Sequence, residues 1–163
     1  MKLLRALEAR VPPPVWTLLA GGAMAWLDAR APVYDWSGTG ADRPLAVAGI
    51  AIGVVGLGVA ADSLRRFVAA RTTWHPTHPQ RTTALVIEGP YRYTRNPMYL
   101  GLLLVLVGWA LWLGSVAAVA VVPVWMAVLT RLQIVPEERA LLDRFGGEYA
   151  QYRDAVRRWW GRR

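Results

Sequence analysis

The densest grouping of residues able to bind and position a ligand is Glu88-Gly89-Pro90-Tyr91-Arg92-Tyr93-Thr94-Arg95-Asn96-Pro97-Met98-Tyr99-Leu100-Gly101. Arginines and tyrosines alternate there with two prolines that fix the backbone. The adjacent acids Glu137 and Glu138 follow the next long apolar stretch. Arginine and tyrosine beside an apolar run also flank ordinary membrane helices, as a positive stop with interfacial aromatics. That explanation leaves out the Gly-Pro and Asn-Pro punctuation and the paired acids. If the chain between them doubles back, cations and hydrogen-bond donors form one wall of a cleft and carboxylates the other. Such a cleft suits a zwitterionic, nucleoside-like ligand. Arginine holds a carboxylate bidentately, a carboxylate holds ribose hydroxyls or an ammonium, and tyrosine faces lie against a sulfonium or an adenine.

The elements that position these residues are written in the charge pattern. The chain has 163 residues, 55% hydrophobic, with 19 Lys and Arg against 11 Asp and Glu, a net charge of +8. Residues 11–27, 44–61 and 96–130 contain no Asp, Glu, Lys or Arg. Runs apolar all round exclude an ordinary soluble domain and point to lipid as the solvent. The sequence therefore predicts one all-α integral membrane domain over 1–163, with about four transmembrane helices at 15–30, 44–61, 98–113 and 115–131. The last two form a C-terminal helical hairpin turning at Gly114-Ser115. Gly49 and Gly53 make a GxxxG pattern that permits close helix contact. Residues 31–43, rich in turn formers, read as a loop.

A polar, non-spanning segment over 72–99 carries the candidate site. The tail from Pro136 has proline at a helix start and two acids in the first turn, and Leu141, Leu142, Phe145, Tyr149, Tyr152, Val156 and Trp159 recur at helical spacing. It reads as an interfacial amphipathic helix over 136–160, bent or split at Gly146-Gly147. Basic residues cluster at the N-terminus, in 65–95 and in the tail, which places both termini and the 72–99 segment in the cytoplasm of a cell inner membrane protein. With so much apolar sequence, the basic charge is assigned to membrane lipid headgroups and an anionic cofactor, and not to nucleic acid. Cysteine is absent, which excludes thiolate metal sites and cysteine nucleophiles. His75 and His78 are separated by Pro76 and followed by Pro79, so they read as a surface loop, and no metal site is expected.

At this point the sequence resembles the isoprenylcysteine carboxyl methyltransferase and phospholipid methyltransferase group of integral membrane enzymes. The resemblance covers roughly residues 72–160. It is carried by Ala84-Leu85-Val86-Ile87-Glu88-Gly89-Pro90-Tyr91-Arg92, by Arg95-Asn96-Pro97-Met98-Tyr99-Leu100-Gly101, by the apolar hairpin, by Glu137-Glu138, and by Phe145-Gly146 with Tyr149 and Tyr152. It implies S-adenosylmethionine as cofactor, bound against Thr83, Ala84, Leu85 and Val86, lined by Tyr91, Asn96, Pro97, Met98 and Tyr99, and reached from the tail by Glu137. Arg95, Glu137 and Glu138 are the candidate catalytic residues, with no general base assigned among them. Where the family often has histidine this chain has Asn96, so that position reads as binding and not titrating. Where the isoprenylcysteine enzymes have an arginine four residues before the first acid, this chain has Gln133.

The implied reaction is methyl transfer to a lipid or lipophilic small molecule. Two other readings stay open: a true isoprenylcysteine carboxyl methyltransferase, and a non-catalytic membrane module that uses the same scaffold to bind a lipid or partner. Displacement at a sulfonium releases a neutral leaving group, so positioning and exclusion of water are the main demands on the protein.

Overall fold

Four prolines and three glycines mark the helix boundaries of the computed structural model, which describes residues 11–30, 43–70 and 84–163. The predicted 31–43 loop, except Arg43, lies outside the described residues, as do His75, His78 and the 72–83 part of the candidate site segment. Helix α1 spans Pro13–Arg30 and α2 spans Arg43–Ala69. A 3-10 turn at Gly89–Arg92 leads into α3, Pro97–Leu113. The chain reverses at Gly114, whose φ of 72° closes α3, and at Ser115, which caps α4, Val116–Leu129. A π-helical turn over Thr130–Ile134 joins α4 to α5, Val135–Phe145, and α6 follows at Gly147–Ala155. The described residues form no strand, only an isolated bridge between Val156 and Arg162.

Two stretches are long and apolar enough to cross a membrane, Pro44–Ala69 and Val116–Phe145, and Pro97–Leu113 is apolar but shorter. Only 11% of the apolar window of α2 is buried, which separates it from the core helix of a soluble protein. Val47, Ile50, Val54, Val55 and Leu57 are exposed along it, and Leu18, Leu19 and Trp26 along α1. A surface this apolar belongs in contact with lipid.

The tightest packing is the seam between α2 and α3. Gly49 faces Gly108 and Gly56 faces Gly101, so both helices place glycine at a seven-residue interval. A Cβ on Gly56 would lie 2.5 Å from the Gly101 carbonyl oxygen, and one on Gly49 would lie 2.6 Å from that of Gly108. The obstacles are backbone atoms, which cannot rotate away. The working partner of Gly49 along α2 is therefore Gly56, seven residues on. Gly53 of the GxxxG pattern could carry a Cβ that meets nothing within 4 Å. Gly101→Ala is expected to lower stability by about 2 kcal/mol, the usual order for overpacking, whereas Gly53→Ala is neutral or slightly stabilising because alanine favours helix. Thermal unfolding of both variants in detergent measures the contrast.

Three boundaries differ from the sequence expectation. Helix α2 runs on past residue 61 because Arg66 Nε donates to Asp62 Oδ2 at 2.9 Å, an i,i+4 pair that carries the helix beyond its apolar stretch. The tail does not begin afresh at Pro136. The π turn, in which the Val135 N–H bonds the Thr130 carbonyl, continues α4 into α5. Proline has no N–H to give, and an inserted residue is a common way for a helix to pass it. Nor does the tail helix reach residue 160, although it splits where the glycines predicted. It breaks at Gly146, with φ of 51°, and α6 stops at Ala155, after which Val156 is extended.

Candidate active site

Ala84, Leu85 and Val86 approach the site in non-helical conformation, all half-buried. Gly89 takes φ of 61°, a left-handed conformation suited to glycine, and Pro90 starts the 3-10 turn. The turn buries Tyr91. The Tyr91 ring meets Phe67 of α2 edge to face, with centroids 5.6 Å apart. Its carbonyl accepts a 2.8 Å hydrogen bond from the Tyr152 hydroxyl of α6. Burial pushes the Tyr91 hydroxyl far above its ordinary range, Tyr152 and Glu137 add to the rise, and Arg66 opposes it. Tyr91 thus lies within the influence of a cation on α2 and a carboxylate on α5.

Residues 93–96 are held by the chain beyond α6, which folds back on itself as a strap. The Gly161 N–H donates to the Tyr93 carbonyl at 2.7 Å, and the Arg95 N–H donates to the Arg157 carbonyl at 3.1 Å. The Thr94 hydroxyl and the Asn96 side-chain amide both donate to the Arg158 carbonyl, at 3.1 and 3.0 Å. The Asn96 side chain is therefore engaged by the strap. Pro97 is buried as the first residue of α3, and Met98 is half-buried beside it.

The paired acids part company. The Tyr99 hydroxyl donates to Glu137 Oε1 at 2.5 Å, and Gln133 Nε2, one turn before the acid, donates to the same oxygen at 2.9 Å. Gln133 and Tyr99 are buried. Two donors aimed at one oxygen orient the carboxylate. Glu138, one residue on, points into a different cluster. Arg158 grips it bidentately, at 2.9 Å from Nε and 2.6 Å from Nη2, and Arg95 Nη1 lies 3.2 Å from its Oε1. The Arg95 side chain is 6% exposed. Tyr149 shares this cluster; burial pushes its hydroxyl up to about 12, with Glu138 adding to the rise and Arg95 opposing it.

Of the residues singled out from sequence, the structure gathers Tyr91, Tyr99 and Glu137 around one locus, with Ala84, Leu85 and Val86 leading into the turn that carries Tyr91. Thr83 lies outside the described residues. Arg95 and Glu138 meet each other and Arg158. The sequence reading missed Arg158, because its partner lies 20 residues back with no periodic relation. It also missed Gln133 as the partner of Glu137, although the i,i+4 spacing was present. Among the described residues, no three His, Cys, Asp or Glu side chains come together as a metal site.

A family model for phospholipid methyltransferase matches residues 45–148. An uncharacterized protein of Haemophilus influenzae is 47% identical over 62 residues, which are 38% of this chain and 98% of that protein. No solved structure matches the chain. The family match starts at α2, earlier than the motifs alone suggested, and ends within α6. Methyltransferases of this family generally use S-adenosylmethionine. The residues present fit that group, since a carboxylate oriented by Tyr99 and Gln133 is an acceptor of the kind that ribose hydroxyls or an ammonium require. With the match spanning well over half of the sequence, and the seam, the turn and the paired acids all falling inside it, the chain belongs to the phospholipid methyltransferase family.

Proposed function

We propose that the protein transfers a methyl group from S-adenosylmethionine to a lipid or lipophilic acceptor at the cytoplasmic face of the inner membrane. The observation that carries this reading is the Glu137 carboxylate, pinned through Oε1 by Tyr99 and Gln133. When bound, the cofactor supplies an electrophilic methyl group on sulfur. Glu137 orients it through the nucleoside or the ammonium, and Tyr91 and Tyr99 wall the site beside the Gly89-Pro90 turn. Ala84, Leu85 and Val86 offer backbone and apolar contact. Pro97 and Met98 set the start of α3 beneath it, and Asn96 acts by holding the strap. Arg95 and Glu138 serve as the frame of the wall, not as reacting groups.

In this reading α1 to α4 all cross the bilayer, and the two shorter ones are accommodated by small tilt or local thinning. The basic residues of the turn and the strap face the cytoplasm. An open apolar cleft of about 580 Å³ between α1, α2 and α3, lined by residues such as Leu18, Ile50, Leu106 and Trp109, lies farther along α3 than Tyr99 and gives a lipid chain a surface on the helices. Its size is that of an ordinary ligand pocket, and its wall is apolar. Gln133 is neutral and bonded to Glu137, which argues against the prenylcysteine carboxylate as the group recognised there. Purified protein incubated with methyl-labelled S-adenosylmethionine and native membranes is expected to place label in the organic-extractable lipid. Absence of transfer together with absence of cofactor binding by calorimetry overturns the reading.

A further inference from the structure

Arg66 lies outside every segment that the motifs tied to the cofactor, yet α2 carries its guanidinium to the turn that opens the site. A Cβ on Gly89 would overlap Arg66 Cζ, Nε and Nη2. The guanidinium thus occupies the place where any other residue at position 89 would put its side chain. Asp62, one turn back on α2, holds Arg66 through Nε at 2.9 Å. Phe67, next to Arg66, fixes the turn against the helix through its edge contact with Tyr91.

A cation near a helix C-terminus, paired with an acid four residues earlier, is a common surface device. That device explains Asp62 and Arg66 but requires nothing of a residue on another segment. Here the opposing turn supplies glycine in a left-handed conformation, so the guanidinium reaches the backbone of the same turn that buries Tyr91. A guanidinium has five N–H donors in a planar fork, and the bond to Asp62 uses only the Nε edge. The side chain is 33% exposed, open enough for a ligand to reach it. Tyr91 responds to the charges of Arg66, Glu137 and Asp62, so a cation and a carboxylate lie near one buried ring. A zwitterion is matched by that arrangement.

We propose that Arg66, held by Asp62 and seated on Gly89, is an oxyanion-binding residue of this site. It takes either the carboxylate of the cofactor's amino-acid end or the phosphate of an acceptor headgroup. The proposal rests on the methyltransferase reading and adds α2 to the binding surface.

The test uses the full chain in detergent micelles, as wild type, Arg66→Met and Arg66→Lys, with melting temperatures recorded for each. Calorimetry measures S-adenosylhomocysteine, which carries the carboxylate, against 5′-methylthioadenosine, which lacks the amino-acid end. It also measures dihexanoyl phosphatidylethanolamine against dihexanoylglycerol, which lacks the phosphate. If the cofactor carboxylate is the ligand, Arg66→Met weakens S-adenosylhomocysteine at least tenfold and leaves methylthioadenosine unchanged, with Arg66→Lys in between. If the headgroup phosphate is the ligand, the same selective loss appears in the lipid pair while both nucleosides bind as in wild type. Wild-type affinities for all four compounds in Arg66→Lys and in folded Arg66→Met overturn the proposal while leaving the methyltransferase reading in place. Failure of the wild type to bind S-adenosylhomocysteine overturns both.

Discussion

Glu137→Ala is expected to weaken binding of S-adenosylhomocysteine by about 100-fold, equivalent to about 2.8 kcal/mol, and to reduce methyl transfer at least as much. Two effects add. The ligand loses the carboxylate, and the buried Tyr99 hydroxyl and Gln133 amide lose the oxygen that both donate to. Each unsatisfied buried donor costs about 1–3 kcal/mol, so the cavity left by the variant also refills with water or reorganises. Glu137→Gln separates the effects. It keeps the shape and an acceptor for Tyr99 and Gln133 while removing the charge, so a loss of affinity with a preserved melting temperature identifies the carboxylate as the ligand-binding group. Tyr99→Phe should reduce affinity by a smaller factor, about tenfold, since Gln133 still orients the acid. Calorimetry and differential scanning on the same preparations read both quantities. Full S-adenosylhomocysteine affinity in Glu137→Gln would remove Glu137 from the site.

Glu138→Ala is expected to act on stability first. Arg95 is nearly buried and would be left with an uncompensated charge, a loss in the range of about 3–5 kcal/mol for breaking a buried pair. Arg158 is 35% exposed, and solvent screens its share, so Arg158→Ala should cost less, about 1–2 kcal/mol. The discriminating variant is Arg95→Met combined with Glu138→Ala. Removing both charges replaces the pair by apolar contact, and the double variant should melt above Glu138→Ala alone, a non-additivity expected of groups in one network. A double variant no more stable than Glu138→Ala, or a Glu138→Ala protein with unchanged melting but lost cofactor affinity, would assign Glu138 to ligand binding and not to the frame.

These two acids show how far the sequence could be read. Their adjacency marked both as one functional feature, because a linear sequence cannot express that neighbours on a helix point about 100° apart. The π turn sets where each points, and its only sequence signal is Pro136, which reads equally well as the start of a new helix. Helices were legible where the chemistry is one-dimensional. Charge-free runs gave α1, the core of α2, α3 and α4, Gly114-Ser115 gave the reversal, and Gly146 gave the break in the tail. The glycine seam was half legible: close contact was written in the glycines of α2, but the choice of Gly56 over Gly53 depends on which face meets α3. Of the contacts between distant segments, the meeting of Arg95 and Tyr99 with the paired acids was legible, because the apolar hairpin turns the chain back, and the contacts of the strap were not. The basic residues of the tail read as contacts to the membrane surface, because nothing in their spacing announces that carbonyl oxygens of the strap accept from residues 94–96.

The strap has an evolutionary consequence. Of its bonds to residues 93–96, every atom it contributes is main chain: the carbonyls of Arg157 and Arg158 and the N–H of Gly161. Side-chain identity at Arg157 and Trp160 is therefore free to drift without touching those bonds, whereas loss or gain of a single residue between Val156 and Gly161 would put every donor opposite the wrong acceptor. In relatives of this protein the spacing of that segment should persist where its letters do not.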